Sequence, residues 1–261
     1  MSDQLQADLA SGALTEALAD IAEAAGRVIL PHWRAGAPVM RKADASPVTE
    51  ADQKAEALIL AELAQRWPGV QAVAEESVAA DGAPSRMEAR RWLIDPLDGT
   101  RGFIEGRESF TVNIALIEGD APVAGVIHAP ATGETWRTVA PGAGAAKRQA
   151  GGDWAPIHVR ARPDEPVALV SLSITEDAAR ALADATGCTR WIAMDSSLKF
   201  CILAEGGADA YARTGPTYEW DTAAGQAVLE AAGGRMIGPD GRRFAYGKPG
   251  LLNGAFTAVA G

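Results

Sequence analysis

Residues 92–104, WLIDPLDGTRGFI, limit what this chain can fold into more than any other stretch. Trp92, Leu93 and Ile94 read as a buried strand that delivers two carboxylates, Asp95 and Asp98, three positions apart. Pro96 has no N–H for a sheet ladder, which predicts that the strand stops with Asp95 at its carboxyl end. Gly99 allows backbone angles that other residues resist and lets a ligand approach the main chain. Thr100 then opens a short helical turn whose free N–H groups suit an anion. Asp-Pro and Asp-Gly are also common turn dipeptides, with carboxylates that bond nearby amides. Two carboxylates beside an anion-binding turn repel each other and the anion unless cations lie between them.

The donors available indicate which cation. The three histidines, His32, His128 and His158, are widely scattered, so imidazole-based zinc or iron sites find no ligand set. Hard oxygen donors suit magnesium, held by a few carboxylates, waters and substrate phosphate oxygens. A formal net charge of -10 argues against a polymeric nucleic-acid partner but admits a small phosphorylated substrate bridged by a cation. Cys188 and Cys201 are the only cysteines and form no C-x-x-C pair, which fits a reducing compartment. Residues 1–12 lack the basic and apolar regions of a signal peptide, and no apolar run approaches the roughly 20 residues of a transmembrane segment.

Periodicity organises the rest. Leu14, Leu18, Ile21, Ala25 and Val28 form one helical stripe, which Pro31 is expected to end. A second helix follows Thr49 as N-cap, within a segment that starts at Ser46, and stops at Pro68-Gly69. A short apolar piece, 70–74, runs into Glu75 and Glu76. Residues 110–140 read as an antiparallel meander in which Phe110, Val112, Ile114 and Leu116 alternate with smaller or polar residues. Residues 140–149 read as a hairpin turn without Walker spacing. Beyond them strands and helices alternate, which predicts an α/β half after an α+β half. The boundary between a first lobe, about 1–145, and a second, 146–261, is expected in the Gly- and Pro-containing stretch 141–166.

Three segments acquire meaning together. Glu75-Glu76-Ser77, DPLDGT at 95–100 and WDTAAG at 220–225 resemble, in order, the signatures of the inositol monophosphatase superfamily of magnesium-dependent, lithium-sensitive phosphatases. SPVTEAD at 46–52 resembles the segment before the first signature, and the likeness extends over nearly the whole chain. The resemblance implies a layered α-β-α-β-α sandwich. It implies metal ligation by Glu75, Asp95, the Leu97 carbonyl, Asp98 and Asp221, with two or three magnesium ions per site. Thr100, Glu75 and Asp52 would position or deprotonate the attacking water, with Gly99 and Thr100 amides holding the phosphoryl oxygens. It also implies a cytoplasmic protein, peripheral at the inner membrane in some relatives, and leaves monomer or homodimer open.

Residues 109–119, 196–213 and 215–225 resemble more narrowly the 3'(2'),5'-bisphosphate nucleotidase (CysQ) group, which hydrolyses adenosine 3',5'-bisphosphate to AMP and phosphate. On that likeness Ser196, Ser197 and Lys199 would receive the uncleaved phosphate, Arg213 and Tyr218 the ribose or base, and Asp221 would also face substrate. Arg101-Gly102 departs from the Lys-Glu usual in the group, a difference that bears on substrate preference. The alternatives are a histidinol-phosphate or inositol-phosphate phosphatase on the same fold, and a non-catalytic sensor of a phosphorylated ligand. No G-x-S-x-G elbow supports a serine hydrolase.

Overall fold

The computed structural model describes residues 2–35, 39–41 and 47–261, so Ser46 of the expected capping segment lies outside the described residues. The chain begins with α1 (Ser2–Ser11) and α2 (Ala13–Ala35). Leu14, Leu18, Ile21 and Ala25 are fully buried along α2, but Val28 is only half-buried and Ile29 takes the next core position. Pro31 does not end the helix, which continues to Ala35. The proline is exposed in the last turns, where the one carbonyl it leaves unbonded can turn to water.

A short hairpin, β1 (Val39–Arg41) with β2 (Pro47–Thr49), leads into α3 (Glu50–Arg66). Thr49 caps α3 reciprocally: its hydroxyl accepts from the Ala51 N–H, while Asp52 accepts from the Thr49 N–H at 2.8 Å. There follow β3 (Gln71–Ala74), α4 (Glu75–Asp81), β4 (Arg90–Asp98), α5 (Thr100–Ile104), β5 (Thr111–Glu118), β6 (Ala121–Ala129) and β7 (Glu134–Thr138). The stretch read as a turn and boundary holds two further strands, β8 (Ala145–Gln149) and β9 (Ala155–Ile157). These complete a seven-stranded sheet in the order β3-β4-β5-β6-β7-β8-β9, parallel only between β3 and β4. Both faces of its centre are buried: Val112, Ile114 and Leu116 of β5 pack toward α1–α3, and Ala115 and Ile117 toward the opposite side.

The second half runs β10 (Val167–Ser171), α6 (Glu176–Ala185), β11 (Arg190–Met194), α7 (Leu198–Ala204), β12 (Ala210–Arg213), β13 (Thr217–Tyr218), α8 (Trp220–Ala231), β14 (Arg235–Ile237), β15 (Leu252–Asn253) and β16 (Phe256–Val259). Its sheet has the order β11-β10-β12-β16-β14, so the last strand lies inside it rather than at an edge. Helices α7 and α8 lie between the two sheets, α6 covers the far face of the second, and α2 and α3 cover the first. This is the five-layer α-β-α-β-α order that the resemblance implies. Small residues of α8, Ala223, Ala224 and Ala227, let it settle closely on β4–β6, and Phe200, Tyr211 and Phe256 fill the interior with edge-on and stacked contacts.

The register of β4 with β5 decides where the carboxylates point. Asp95 pairs with Asn113 and Asp98 with Thr111, so three steps on β4 match two on β5. The strand therefore does not stop at Asp95 but continues to Asp98 through a bulge at Pro96 and Leu97. A bulge is where a residue without an N–H costs the ladder least. In a regular strand, residues three apart face opposite ways. The extra residue puts Asp95 and Asp98 on one side with Thr111 and Asn113, toward the layer of α7 and α8.

Away from that edge, His128 on β6 ties α2 to the sheet. Its Nδ1 lies 3.1 Å from the Glu134 carbonyl and 2.9 Å from Thr135 Oγ1, whose own proton goes to Glu23. Nδ1 thus carries the proton. Nε2 faces Gly26, where a Cβ would stand 2.6 Å from it, so only glycine admits the imidazole. Burial pushes this histidine down from 6.5 to about 4, with Glu23 opposing. The neutral form is the one the fold favours, so the contribution is present above the unfolded value and is lost as pH falls from 6.5 toward about 4. It is worth roughly 3 kcal/mol. We expect His128→Gln to flatten the pH dependence of Tm across that acid window, relative to the parent. Thermal melts at closely spaced pH check this, and an unchanged slope would show that His128 titrates normally in the fold.

Candidate active site

The bulge, the start of α4 and the start of α8 bring Glu75, Asp95, Asp98 and Asp221 to one place at the edge between the layers. Asp95 is buried, its Oδ1 accepts from the Leu97 N–H at 2.9 Å, and its carboxyl shares a hydrogen bond with that of Glu75. Two carboxyls share such a bond only when one holds a proton. Burial, then the charges of Glu75, Asp98 and Asp221, accordingly pushes Asp95 well above the ordinary carboxylate value. Asp221 is pushed up likewise, by burial and by Asp98 and Glu75, although its Oδ2 accepts from the Tyr218 N–H at 2.7 Å. Asp98 is raised by burial too, against the pull of Lys199 and of the Ser197 N–H that donates to its Oδ2 at 2.5 Å. Among the described residues no three His, Cys, Asp or Glu side chains close into a metal-ligand group. The four carboxylates converge, but Asp95, Asp98 and Asp221 are each turned onto a backbone amide.

Beside them stand Thr100 and Asp52. Thr100 Oγ1 lies 3.0 Å from the Leu97 carbonyl and 3.4 Å from Asp52 Oδ1. Asp52 is buried in the first turn of α3, where burial pushes it up to about 6 despite two bonds from Thr49, with Glu75 adding to the rise. Gly99, at φ 90°, makes the turn possible: a Cβ there would meet the Ser109 carbonyl oxygen at 2.7 Å and Ser196 at 3.3 Å.

The residues expected to hold substrate divide. A cleft of about 260 Å³ is lined by Gly99, Ser196, Ser197, Lys199, Arg213 and Asp221. Lys199, however, is buried, and its ammonium donates to the carbonyls of Met194 at 3.1 Å and Ser196 at 2.6 Å. Burial brings it down to about 8, with Asp98 opposing. Its donors thus secure the loop before α7, including Ser196 at φ 56°, rather than reaching freely into the cleft. Ser197 is a link as well: its hydroxyl donates to Asn113 Oδ1 at 2.7 Å and lies 2.8 Å from Thr111 Oγ1. Tyr218 is exposed, stacked on Trp220 at 4.7 Å, and does not line this cleft.

Two contributors were outside the expected set. Glu56, buried on α3, accepts from the N–H groups of Glu76 and Ser77 at 2.7 and 2.8 Å and so fixes the turn that carries Glu75. Its spacing of four from Asp52, which puts both on one helical face, is the signal in the sequence. Thr111 and Asn113 are the second contribution, and their role depends on register, which no local spacing reveals.

The inositol monophosphatase family model matches residues 12–260. The 3'(2'),5'-bisphosphate nucleotidase CysQ of Salmonella typhimurium is 38% identical over 258 residues, covering 94% of this chain and 99% of that protein. An inositol monophosphatase of Mesembryanthemum crystallinum is 31% identical, covering 86% and 85%. Among solved structures, CysQ from Bacteroides thetaiotaomicron superposes with a TM-score of 0.75 at 32% identity, covering 94% of this chain and 97% of that one. The inositol monophosphatase from Anabaena gives the same TM-score, 0.75, at 25% identity, with coverage of 95% and 91%.

The net effect on Asp95 is upward, burial first, so its ionised form costs the fold stability that is present below the ordinary 3.8 and lost as pH rises toward its elevated value. Asp95→Asn keeps an acceptor for the Leu97 N–H and removes the charge. With a chelator present, the variant is expected to melt above the parent at neutral pH, by on the order of 1 kcal/mol or more, and to lose the advantage in acid. Melting curves over about pH 4–8 test it. A variant several degrees less stable at neutral pH would mean that the carboxylate is held by the turn rather than repelled by its neighbours.

Proposed function

The chain belongs to the inositol monophosphatase family, and from that premise we propose that it is a metal-dependent phosphomonoesterase acting on adenosine 3',5'-bisphosphate. The observation that carries the reading is the convergence of four carboxylates from β4, α4 and α8 beside the Asp52–Thr100 pair, at the mouth of a cleft with cationic side chains. The donor set fits a hard divalent cation, magnesium by preference: every candidate is an oxygen, and the burial and neighbouring carboxylates that raise Asp95 and Asp221 are what a cation offsets. Glu75, Asp95, the Leu97 carbonyl, Asp98 and Asp221 would hold it. Bound there, it supplies an acidified water and screening of the phosphate charge.

The residues then divide the work of an in-line displacement. Thr100 Oγ1 accepts a proton from the attacking water and passes its own to Asp52 Oδ1, the raised value of about 6 keeping Asp52 near the range where it can take a proton and return it. The amides of Gly99 and Thr100 orient the phosphoryl oxygens, and the open φ of Gly99 lets the ester approach the backbone. Ser197 and Lys199 keep Asp98 and the Ser196 loop in place against the sheet. The choice of a nucleoside bisphosphate over other esters is supported by the 38% identical nucleotidase relative, and by a cleft whose lining includes Arg101 in addition to its carboxylates.

Phosphate release should be fastest from adenosine 3',5'-bisphosphate in a panel that includes inositol 1-phosphate, histidinol phosphate and fructose 1,6-bisphosphate. It should require magnesium and stop in excess chelator. Preference for inositol 1-phosphate would transfer the substrate assignment to the inositol phosphatases, and full turnover in chelator would overturn the metal reading. Asp52→Asn is expected to lower kcat on the order of a hundred-fold with little change in KM. Parent-like kcat in that variant would remove Asp52 from the proton path.

A further inference from the structure

A bisphosphate placed with one phosphate at the carboxylates must rest its other phosphate elsewhere in the cleft. Three of the nearby cations are already engaged. Lys199 is spent on two carbonyls, Arg213 donates to the carbonyls of Gly215 and Pro216, and Arg107 pairs with Glu105 and, at 2.9 Å, with Asp195. Arg101 differs from them. It is exposed, and its guanidinium makes no hydrogen bond or ion pair with the described residues. It lines both the cleft and a shallower pocket of about 200 Å³ that continues it outward, and the two share Ser173 and Asp195 as well. Arg107, shared between Glu105 and Asp195, offsets part of the acidic charge at this end. Ser171, the last residue of β10, and Ser173, in the turn after it, also line the cleft, with hydroxyl oxygens 3.0 Å apart.

We propose that Arg101, with the hydroxyls of Ser171 and Ser173, forms a second anion seat for the phosphate that is not cleaved, making Arg101 a specificity-determining residue. The inference rests on the nucleotidase reading and adds the place and chemistry of the second phosphate. A guanidinium presents a planar fork of donors that fits two oxygens of a phosphate, and two serines can rotate their protons onto a third. Arg101 directly follows Thr100, so a nucleotide held at both points would span from the carboxylates at the bulge to the outer rim.

The test is a ratio: kcat/KM for adenosine 3',5'-bisphosphate over kcat/KM for adenosine 3'-monophosphate. Arg101→Ala is expected to lower that ratio by about ten- to a hundred-fold, the range of a charge-assisted hydrogen bond, mainly through KM of the bisphosphate. Arg101→Lys should recover part of it by returning the charge without the fork, and Ser173→Ala should lower it by a few-fold. Equal losses on both substrates, or an unchanged ratio, overturn the seat while the nucleotidase reading stands. A parent no better on the bisphosphate than on inositol 1-phosphate overturns that reading and the seat with it.

Discussion

The bulge at Pro96 and Leu97 is the constraint on which the site depends. It converts a spacing of three, which a regular strand would split between two faces, into two carboxylates on one face. Everything else at the site is arranged around that face. Ser197 reaches across to Asp98 and, through its hydroxyl, to Asn113 and Thr111, the partners of the bulged strand on β5. Glu75 and Asp221 arrive from helices that begin at the same edge of the layers. A regular β4 would direct one aspartate into the apolar packing of α1–α3, where an unpaired charge costs several kcal/mol.

Charge balance around this edge is built from opposed terms rather than from ion pairs. Asp95 and Asp221 are pushed up by burial and by neighbouring carboxylates, Asp98 is partly relieved by Lys199, and Lys199 is itself brought down by burial. Lys199 serves two purposes at once. Its charge moderates Asp98, and its donors fasten a loop whose residue Ser196 adopts a left-handed angle that serine seldom takes. Such strain persists only where neighbours over-determine it, as the Met194 and Ser196 carbonyls do here by meeting on one ammonium.

Much of this was legible in the sequence, and the boundary of legibility follows the reach of the signal. The Thr49 cap, the glycine turn before Thr100 and the helix carrying Asp221 are local patterns, and the chain adopts them as read. Pro31 and Pro96 were misleading in the same way. Proline excludes a hydrogen bond but does not say whether that bond was needed, and in a solvent-facing last turn or a bulge it was not. Strands β8 and β9 are short, so their pairing comes from the strand each is laid against, β7 for β8 and β8 for β9, rather than from their own periodicity. The destination of the Lys199 ammonium and the freedom of Arg101 are tertiary facts, decided by which carbonyls and carboxylates happen to lie within reach.

The position of β16 has a consequence for how the molecule is made. This strand, Phe256–Val259, lies between β12 and β14, so the second sheet stays open at that place until residues 256–259 have been made. Until then Tyr211, Phe244 and Phe200 lack the Phe256 ring that packs against all three, and β12 presents an open edge to any passing strand. The nascent chain therefore exposes that edge for as long as β16 is unmade, with the first sheet able to assemble before the second can close.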